Sequence, residues 1–256
     1  MNIVIAHLYP KLMNIYSDIG NIICLKKRCQ WRGIEVRVAP VDINQKFDWQ
    51  KYDLVFGGGG QDRQQEIVSK DLQKKKKEIC QTVEQGMPML TTCGTYQLFG
   101  HYFKTHQGIK IPGISIFDAY TIASRQRKIG NIVIELNNLT KKQFNNETMK
   151  LVGFENHSGN TYLKEGETKS LGKVIKGFGN NGKDGLEGAV YQNAIGTYLH
   201  GPILPKNPHL ADYLILSALQ RKYGKKTILK PLDDTLDLHT HSKAIERTHQ
   251  AKNSFF

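Results

Sequence analysis

The sequence predicts an α/β fold: an open, mostly parallel sheet flanked by helices, followed by a C-terminal helical tail. Three observations carry this. Over residues 2 to 103 short apolar runs alternate with helical patterns in the order strand, helix, strand, strand, helix, strand, helix. Alternation of that kind pairs strands in parallel and puts helices on both faces. Two of the apolar runs end at a chemically loaded turn, one in four glycines and one in a cysteine. The 256 residues suffice for one large domain with a substantial core.

The chain enters a strand at once with Asn2-Ile3-Val4-Ile5-Ala6, so neither a signal peptide nor a membrane span is expected. Ile22, Leu25 and Cys29 share helical spacing, which makes Cys24 and Cys29 core residues of the first helix. The four cysteines (24, 29, 80 and 93) lack metal-pair spacing, and free thiols suit a reducing cytoplasm. Tyr52 to Phe56 is an apolar strand. The long helix after it carries Val68, Leu72, Ile79 and Val83 on one face, with Lys74 to Lys77 expected on the solvated one. From Gly130 to Tyr198 the pattern is strand-rich, with hairpin glycines at 177, 179, 182, 185 and 188. A helix then opens with Asn207 as cap and Pro208 in its first turn, burying Leu210, Ala211, Leu214, Ile215, Ala218 and Leu219. Residues 1–224 form the domain. Residues 225–256 form a tail, with a short amphipathic helix from Leu236 to Ile245 and ten frayed residues at the end.

Function is written most densely in Pro88-Met-Leu-Thr-Thr-Cys93-Gly-Thr-Tyr-Gln-Leu-Phe-Gly100. An apolar strand meets one cysteine where the pattern turns helical. Such an elbow lifts a nucleophile above the sheet edge and aims it at the first amides of the next helix. Those amides favour a thiolate and the oxyanion formed when it attacks a carbonyl. A buried structural cysteine is the bland alternative, and other residues count against it. Gly57 to Gly60 follow a strand without side chains, so their backbone is free to adopt positive φ and approach a ligand; a tight turn alone would need one or two glycines. Gln61-Asp62-Arg63 follows in place of the Gly-Lys-Ser/Thr of a phosphate loop. His200 ends the strand Ile195–Leu199 just before Gly201-Pro202, which makes it the best placed of nine histidines to activate a thiol.

With these residues the chain resembles the class I, triad-type glutamine amidotransferases of the cobyric-acid-synthase-like branch. Within it, the resemblance is to the glutaminase subunits of lipid II isoglutaminyl synthases. It covers nearly the whole chain: His7-Leu-Tyr-Pro, Asn14-Ile-Tyr-Ser-Asp-Ile-Gly-Asn21, Phe56 to Arg63, Cys93 to Gln97, Gly153 to Tyr162 and Gly196 to Pro208. The resemblance implies Cys93 as nucleophile and His200 as general base, then acid. It implies an oxyanion hole from the backbone amides of Gly58, Gly59 and Gly94, and substrate glutamine held by Arg127 and Gln97. A guanidinium suits the α-carboxylate of a free amino acid. Thr95, Ser158 and Asn160 depart from the residues common in the family.

No acidic residue stands two positions after His200, where other triad amidotransferases place it; Pro202 does. The imidazole then lacks a carboxylate to orient it. The partner subunit is expected to supply that acid, which would leave the isolated chain slow. The resemblance also implies that partner: a Mur-ligase-like (MurT-like) subunit that holds ATP and Mg²⁺ and amidates lipid II with the ammonia. No cofactor and no metal is expected in this chain, whose sequence has no nucleotide-binding motif. For His157, a buried Glu155-Asn156-His157 network is preferred over substrate contact.

The formal net charge is +13, from 36 Lys and Arg against 23 Asp and Glu. It favours peripheral contact with the anionic inner face of a membrane. A nucleic-acid-binding module is the reading from another class, and it lacks basic stripes interleaved with aromatics, a helix-turn-helix or a zinc knuckle. A cobyrinic-acid-type amidotransferase subunit and a catalytically silent scaffold are the remaining alternatives.

Overall fold

The computed structural model describes residues 1–137 and 150–250. The chain begins with β1 (Asn2–Leu8), α1 (Ile19–Gln30), β2 (Glu35–Val41), β3 (Leu54–Gly57), α2 (Asp62–Glu84), β4 (Met89–Thr92) and α3 (Gly94–Phe99), in the order the sequence predicts. Strands β5 (Tyr102–Lys104), β6 (Lys110–Pro112), β7 (Ala119–Leu136), β8 (Lys150–Leu163), β9 (Gly172–Lys176), β10 (Leu186–Glu187), β11 (Ala189–Tyr191) and β12 (Ala194–Thr197) come next. Helices α4 (Ile203–Lys206), α5 (Pro208–Tyr223) and α6 (Thr235–Gln250) complete the described chain.

The central sheet has six strands in the order β11-β12-β4-β3-β1-β2, all parallel except β11. Its middle strands read as short continuous apolar runs because both faces are covered. Alternate residues feed alternate cores, as the two-residue period of a strand requires. Ile3, Ile5, Leu54, Phe56 and Leu90 pack with α1 and α5. Ala6, Leu8, Val55 and Met89 pack with α2 and α3 on the other face. A second sheet, order β10-β9-β7-β5-β6 with β8 on β7, is antiparallel apart from the β5–β7 pair. Its strands start at Tyr102, and its long strand β7 at Ala119, both earlier than the expected Gly130. The five hairpin glycines from 177 to 188 all have positive φ, as expected of turns that only glycine enters without strain.

Three expectations need correction. Lys75 is not solvated: it is buried against Asp71, whose carboxylate also accepts from Tyr9 Oη at 2.9 Å. Asn207 stands at the start of α5, but its side chain does not cap the helix. It donates to the Val152 and Ile203 carbonyls and accepts from Val152 N–H, tying the helix to β8. The tail helix is longer than Leu236–Ile245 and docks on the domain itself. His241 is buried and bonds the Lys206 carbonyl through Nδ1 at 2.7 Å. Asp234, just before that helix, pairs with Arg28 of α1, which also grips Asp212 with two hydrogen bonds. Of the ten residues expected to fray, 247 to 250 are helical and 251–256 lie outside the described residues.

The connection from β1 leads to β2 on one side, while β3 continues to β4 on the other. The strand order therefore reverses between β1 and β3, and ligands of open α/β sheets bind at the carboxyl ends of strands flanking such a point. Four segments leave those carboxyl ends: Tyr9 to Asp18 after β1, the glycine loop after β3, Cys93 after β4 and His200 after β12.

Candidate active site

Cys93 sits between β4 and α3 with φ 47° and ψ −106°, a conformation that costs a non-glycine residue on the order of 1–3 kcal/mol. The elbow is held by Cys93 N–H donating to the Thr197 carbonyl at 2.9 Å and by Gln97 N–H donating to the Cys93 carbonyl at 2.9 Å. Because β12 pairs with β4 in register Thr197↔Thr92, the chain after β12 carries His200 to the same edge. His200 is fully buried.

The imidazole has a carboxylate, and it comes from this chain. Asp18 Oδ1 lies 3.3 Å from His200 Nδ1, with both side chains fully buried. The other oxygen, Oδ2, accepts from Gly59 N–H at 2.7 Å and from Thr92 Oγ1 at 2.9 Å. Asp18, 182 residues earlier in the chain, thus lies where the acid expected from a partner subunit would act. With Nδ1 held, Nε2 is the nitrogen left for the thiol; it is buried and bonds to no other described group. Burial opposes the imidazolium, but the neighbouring Cys93 thiol and the Asp18 carboxylate together outweigh it and raise the His200 pKa to about 10. The charged imidazolium is thus favoured beside a cysteine, and cysteines react as thiolates.

None of the four glycines of the loop has a positive φ; each is crowded instead. A Cβ on Gly57 would fall 2.5 Å from Thr95 Cγ2, and one on Gly59 would fall 2.7 Å from Ile15 Cγ1 and 3.0 Å from His200 Cε1. A Cβ on Gly58 would collide with the Met13 carbonyl oxygen, and one on Gly60 with Met13 Sδ. Close packing, rather than an unusual backbone, disfavours side chains here, most firmly at Gly58, whose Cβ would meet a backbone oxygen. The Thr95 hydroxyl donates to the Gly58 carbonyl at 2.6 Å and fixes the loop to α3.

Among the expected oxyanion donors, the structure separates Gly59 from the others, because its N–H is committed to Asp18. Gly60 takes the adjacent place. Its nitrogen lies 2.8 Å from where a Gly94 Cβ would stand, and its N–H donates to no other described group. Four identical residues in a row give no basis in the sequence for ranking Gly60 against Gly58 and Gly59.

A cavity of about 170 Å³ opens over Cys93, lined among others by Tyr16, Gly60, Gln97, Arg127 and His157. Arg127 reaches it as expected, donating from Nε to Asn156 Oδ1 at 2.6 Å and from Nη2 to Tyr16 Oη at 2.9 Å. Gln97 also lines it, but both ends of its amide are engaged: Nε2 donates to Tyr198 Oη and Oε1 accepts from Gln65, each at 2.9 Å. Ser158 is on the cavity wall, while Asn160 accepts from the buried Lys128.

His157 is part of a buried network, as preferred, and it also lines the cavity. It stacks on Tyr198 with ring centroids 3.6 Å apart and bonds the Gly159 carbonyl through Nδ1 at 2.9 Å. Glu155 accepts from the Phe178 and Gly179 amides at 2.7 and 2.9 Å, holding the β9–β10 turn. No group of three or more His, Cys, Asp or Glu among the described residues is arranged to hold a metal ion. No described helix is long and apolar enough to cross a membrane.

Residues 4–208 match the CobB/CobQ-like glutamine amidotransferase domain. The chain is 40% identical over 250 residues to the lipid II isoglutaminyl synthase (glutamine-hydrolyzing) subunit GatD of Staphylococcus aureus, covering 98% of both chains. It is also 40% identical over 233 residues to the subunit of the same name from Streptococcus pneumoniae, covering 91% of this chain and 86% of that one. Among solved structures, a glutamine amidotransferase from Thermotoga maritima shares the fold. Its TM-score is 0.54 at 16% identity, covering 97% of this chain and 99% of that one. The chain belongs to the CobB/CobQ-like glutamine amidotransferase family.

Proposed function

We propose that this member of the family is the glutaminase subunit of a lipid II isoglutaminyl synthase. The observation that carries the reading is the Cys93–His200–Asp18 constellation at the carboxyl edge of the sheet, beside a cavity that also holds Arg127. Relatives with that name, aligned along nearly the whole chain, support the choice of pathway.

Glutamine enters with its α-carboxylate on Arg127 and its carboxamide over Cys93. The thiolate adds to the carboxamide carbon, and the anionic oxygen rests on the Gly94 and Gly60 amides. Losing one such donor typically costs roughly a hundred- to thousand-fold in rate. The imidazolium of His200 gives its proton to the leaving nitrogen, ammonia departs, and a thioester remains. His200 then takes a proton from water as that water attacks the thioester. The thioester collapses, glutamate leaves, and the thiolate–imidazolium pair is restored. Asp18 keeps Nδ1 hydrogen-bonded throughout, so Nε2 handles every proton.

Ammonia passes to a Mur-ligase-like (MurT-like) partner that holds ATP and Mg²⁺. The partner activates the α-carboxyl of D-glutamate in the lipid II stem peptide, and ammonia converts it to D-isoglutamine. The complex works in the cytoplasm at the inner membrane face, where a net charge of +13 favours contact with anionic lipid. The test mixes the purified chain, the Mur-ligase-like protein, ATP, Mg²⁺, lipid II and glutamine labelled with ¹⁵N in the side chain. Transfer of the label to lipid II that vanishes in Cys93→Ala is expected. Glutamine hydrolysis without any labelled lipid II would remove the acceptor from this reading and leave a glutaminase.

A further inference from the structure

Tyr16 stands between the two chemically distinct ends of the cavity, and the reaction above gives it no task. Its ring lies edge-on to His200, with centroids 5.0 Å apart at 69°. Its hydroxyl accepts from Arg127 Nη2 at 2.9 Å. That acceptor role leaves the phenolic proton uncommitted, and Tyr16 Oη donates to no other described group. Arg127 is oriented from one edge by two neutral acceptors, Tyr16 through Nη2 and Asn156 through Nε, while Nη1 keeps its donors for another group.

The turn that presents Tyr16 is built for position. Tyr16 and Ser17 are consecutive non-glycine residues with φ of 54° and 62°. Ile15 N–H donates to the Gly59 carbonyl at 3.2 Å, and Asn14 Oδ1 accepts from Ile19 N–H at 2.9 Å, closing the turn from both ends. Two residues after Tyr16 the same turn delivers Asp18 to His200. One strained turn thus places an aromatic hydroxyl at the cationic end of the cavity and a carboxylate beneath the catalytic base.

We propose that Tyr16 is a specificity-determining residue for the free α-carboxylate of the substrate. Its hydroxyl accepts from Arg127 and donates to the carboxylate, so guanidinium and phenol grip the carboxylate together, while the ring edge keeps His200 in place. This rests on the glutaminase reading of the same site. The ligand chemistry is a free amino-acid carboxylate, and an amide or peptide bond at that position would lose the negative charge and one of the two acceptor oxygens.

The test compares L-glutamine with L-glutaminamide, which keeps the reacting carboxamide but carries an amide at the α position. Wild type, Tyr16→Phe and Tyr16→Ala are assayed for kcat and KM on each. A hydrogen bond to a charged group predicts that Tyr16→Phe lowers kcat/KM for glutamine by roughly 10- to 100-fold, mainly through KM. The same change should leave glutaminamide within about threefold, because no carboxylate is lost there. Tyr16→Ala should additionally lower kcat on both, since the ring contact with His200 is gone. Equal losses on both substrates in Tyr16→Phe, or no loss on either, would overturn the proposal.

A second readout separates this from failure of the glutaminase reading. Cys93 alkylation is timed with 6-diazo-5-oxo-L-norleucine, which carries the amino-acid head, and with iodoacetamide, which does not. If wild type fails to turn over glutamine yet reacts selectively with the first reagent, and Tyr16→Phe loses that selectivity, the recognition stands and the turnover reading falls. Unchanged selectivity in Tyr16→Phe would sink the recognition whatever the turnover shows.

Discussion

Two buried histidines in this molecule each lie beside a carboxylate, and they are driven in opposite directions. His200 has Asp18 at 3.3 Å and a pKa raised to about 10. His157 has Glu155 at 3.9 Å and a pKa lowered to about 3. Burial opposes the charged form of both. The difference lies in what else surrounds them. Asp18 carries two further hydrogen-bond donors on its second oxygen, and the Cys93 thiol lies on the other side of His200. Glu155 is itself pushed up to about 8, chiefly by burial, so at neutral pH it is mostly protonated and offers His157 little charge. Lys128 adds like charge near His157, and the ring is spent on stacking with Tyr198. Of the two pairs, the one whose imidazolium is favoured is also the one with a thiol beside it, and that is the pair proposed as catalytic.

The contrast can be broken most completely at the nucleophile. Cys93→Ala should abolish glutamine hydrolysis and thioester trapping while leaving the unfolding midpoint near that of wild type, read by mass spectrometry and circular dichroism. At the acids, Asp18→Asn should cut kcat by roughly a hundred- to ten-thousand-fold, since the amide no longer stabilises the imidazolium. Glu155→Gln should change kcat by less than about tenfold, because it alters a carboxyl already largely neutral. Comparable losses in both would erase the distinction between the pairs.

Gly59→Ala sharpens the comparison by pressing on one histidine alone. Its Cβ would stand 3.0 Å from His200 Cε1 and 2.7 Å from Ile15 Cγ1. We expect kcat to fall by about ten- to a hundredfold, as a displaced catalytic group would cause, with the stacked His157–Tyr198 pair intact by NMR.

The smallest effect is on stability against pH. His157 is held neutral in the fold, so the unfolded chain gains a proton that the folded one refuses as pH falls from about 6.5 towards 3. Stability should drop across that window, and His157→Phe should flatten the drop while keeping a ring against Tyr198. His200 works the other way. Its stabilisation is present below about 6.5 and is lost as pH rises through about 10. Denaturant midpoints measured from pH 4 to 10 on both proteins check the pair of signs.

Much of this site was legible in the residue order. Cys93 stands where an apolar strand turns helical, and His200 stands just before Gly-Pro, although β12 ends at Thr197, three residues short of the strand end the sequence suggested. Arg127 came from the family resemblance, and the structure brings it to the cavity. Asp18 was not legible, because its meaning depends on two parallel strands, β1 and β12, ending at one edge with two others between them. The one signal was an acid at the carboxyl end of the first strand's connection, inside the block Asn14 to Asn21. Lys75 misled for a related reason: a run of four lysines reads as solvated, and only the neighbouring Asp71, one helical turn earlier, shows that one of them is paired and buried. Local pattern reports what one element does, whereas pairings across elements need the fold.

The central claim is that this chain carries its whole triad. Its most direct test is steady-state glutamine hydrolysis by the isolated chain, wild type against Asp18→Asn, with no partner protein present. The account predicts turnover by the wild-type chain alone and a loss of at least about a hundredfold in the variant. Hydrolysis that appears only when the partner is added, at equal rates for wild type and Asp18→Asn, would contradict it.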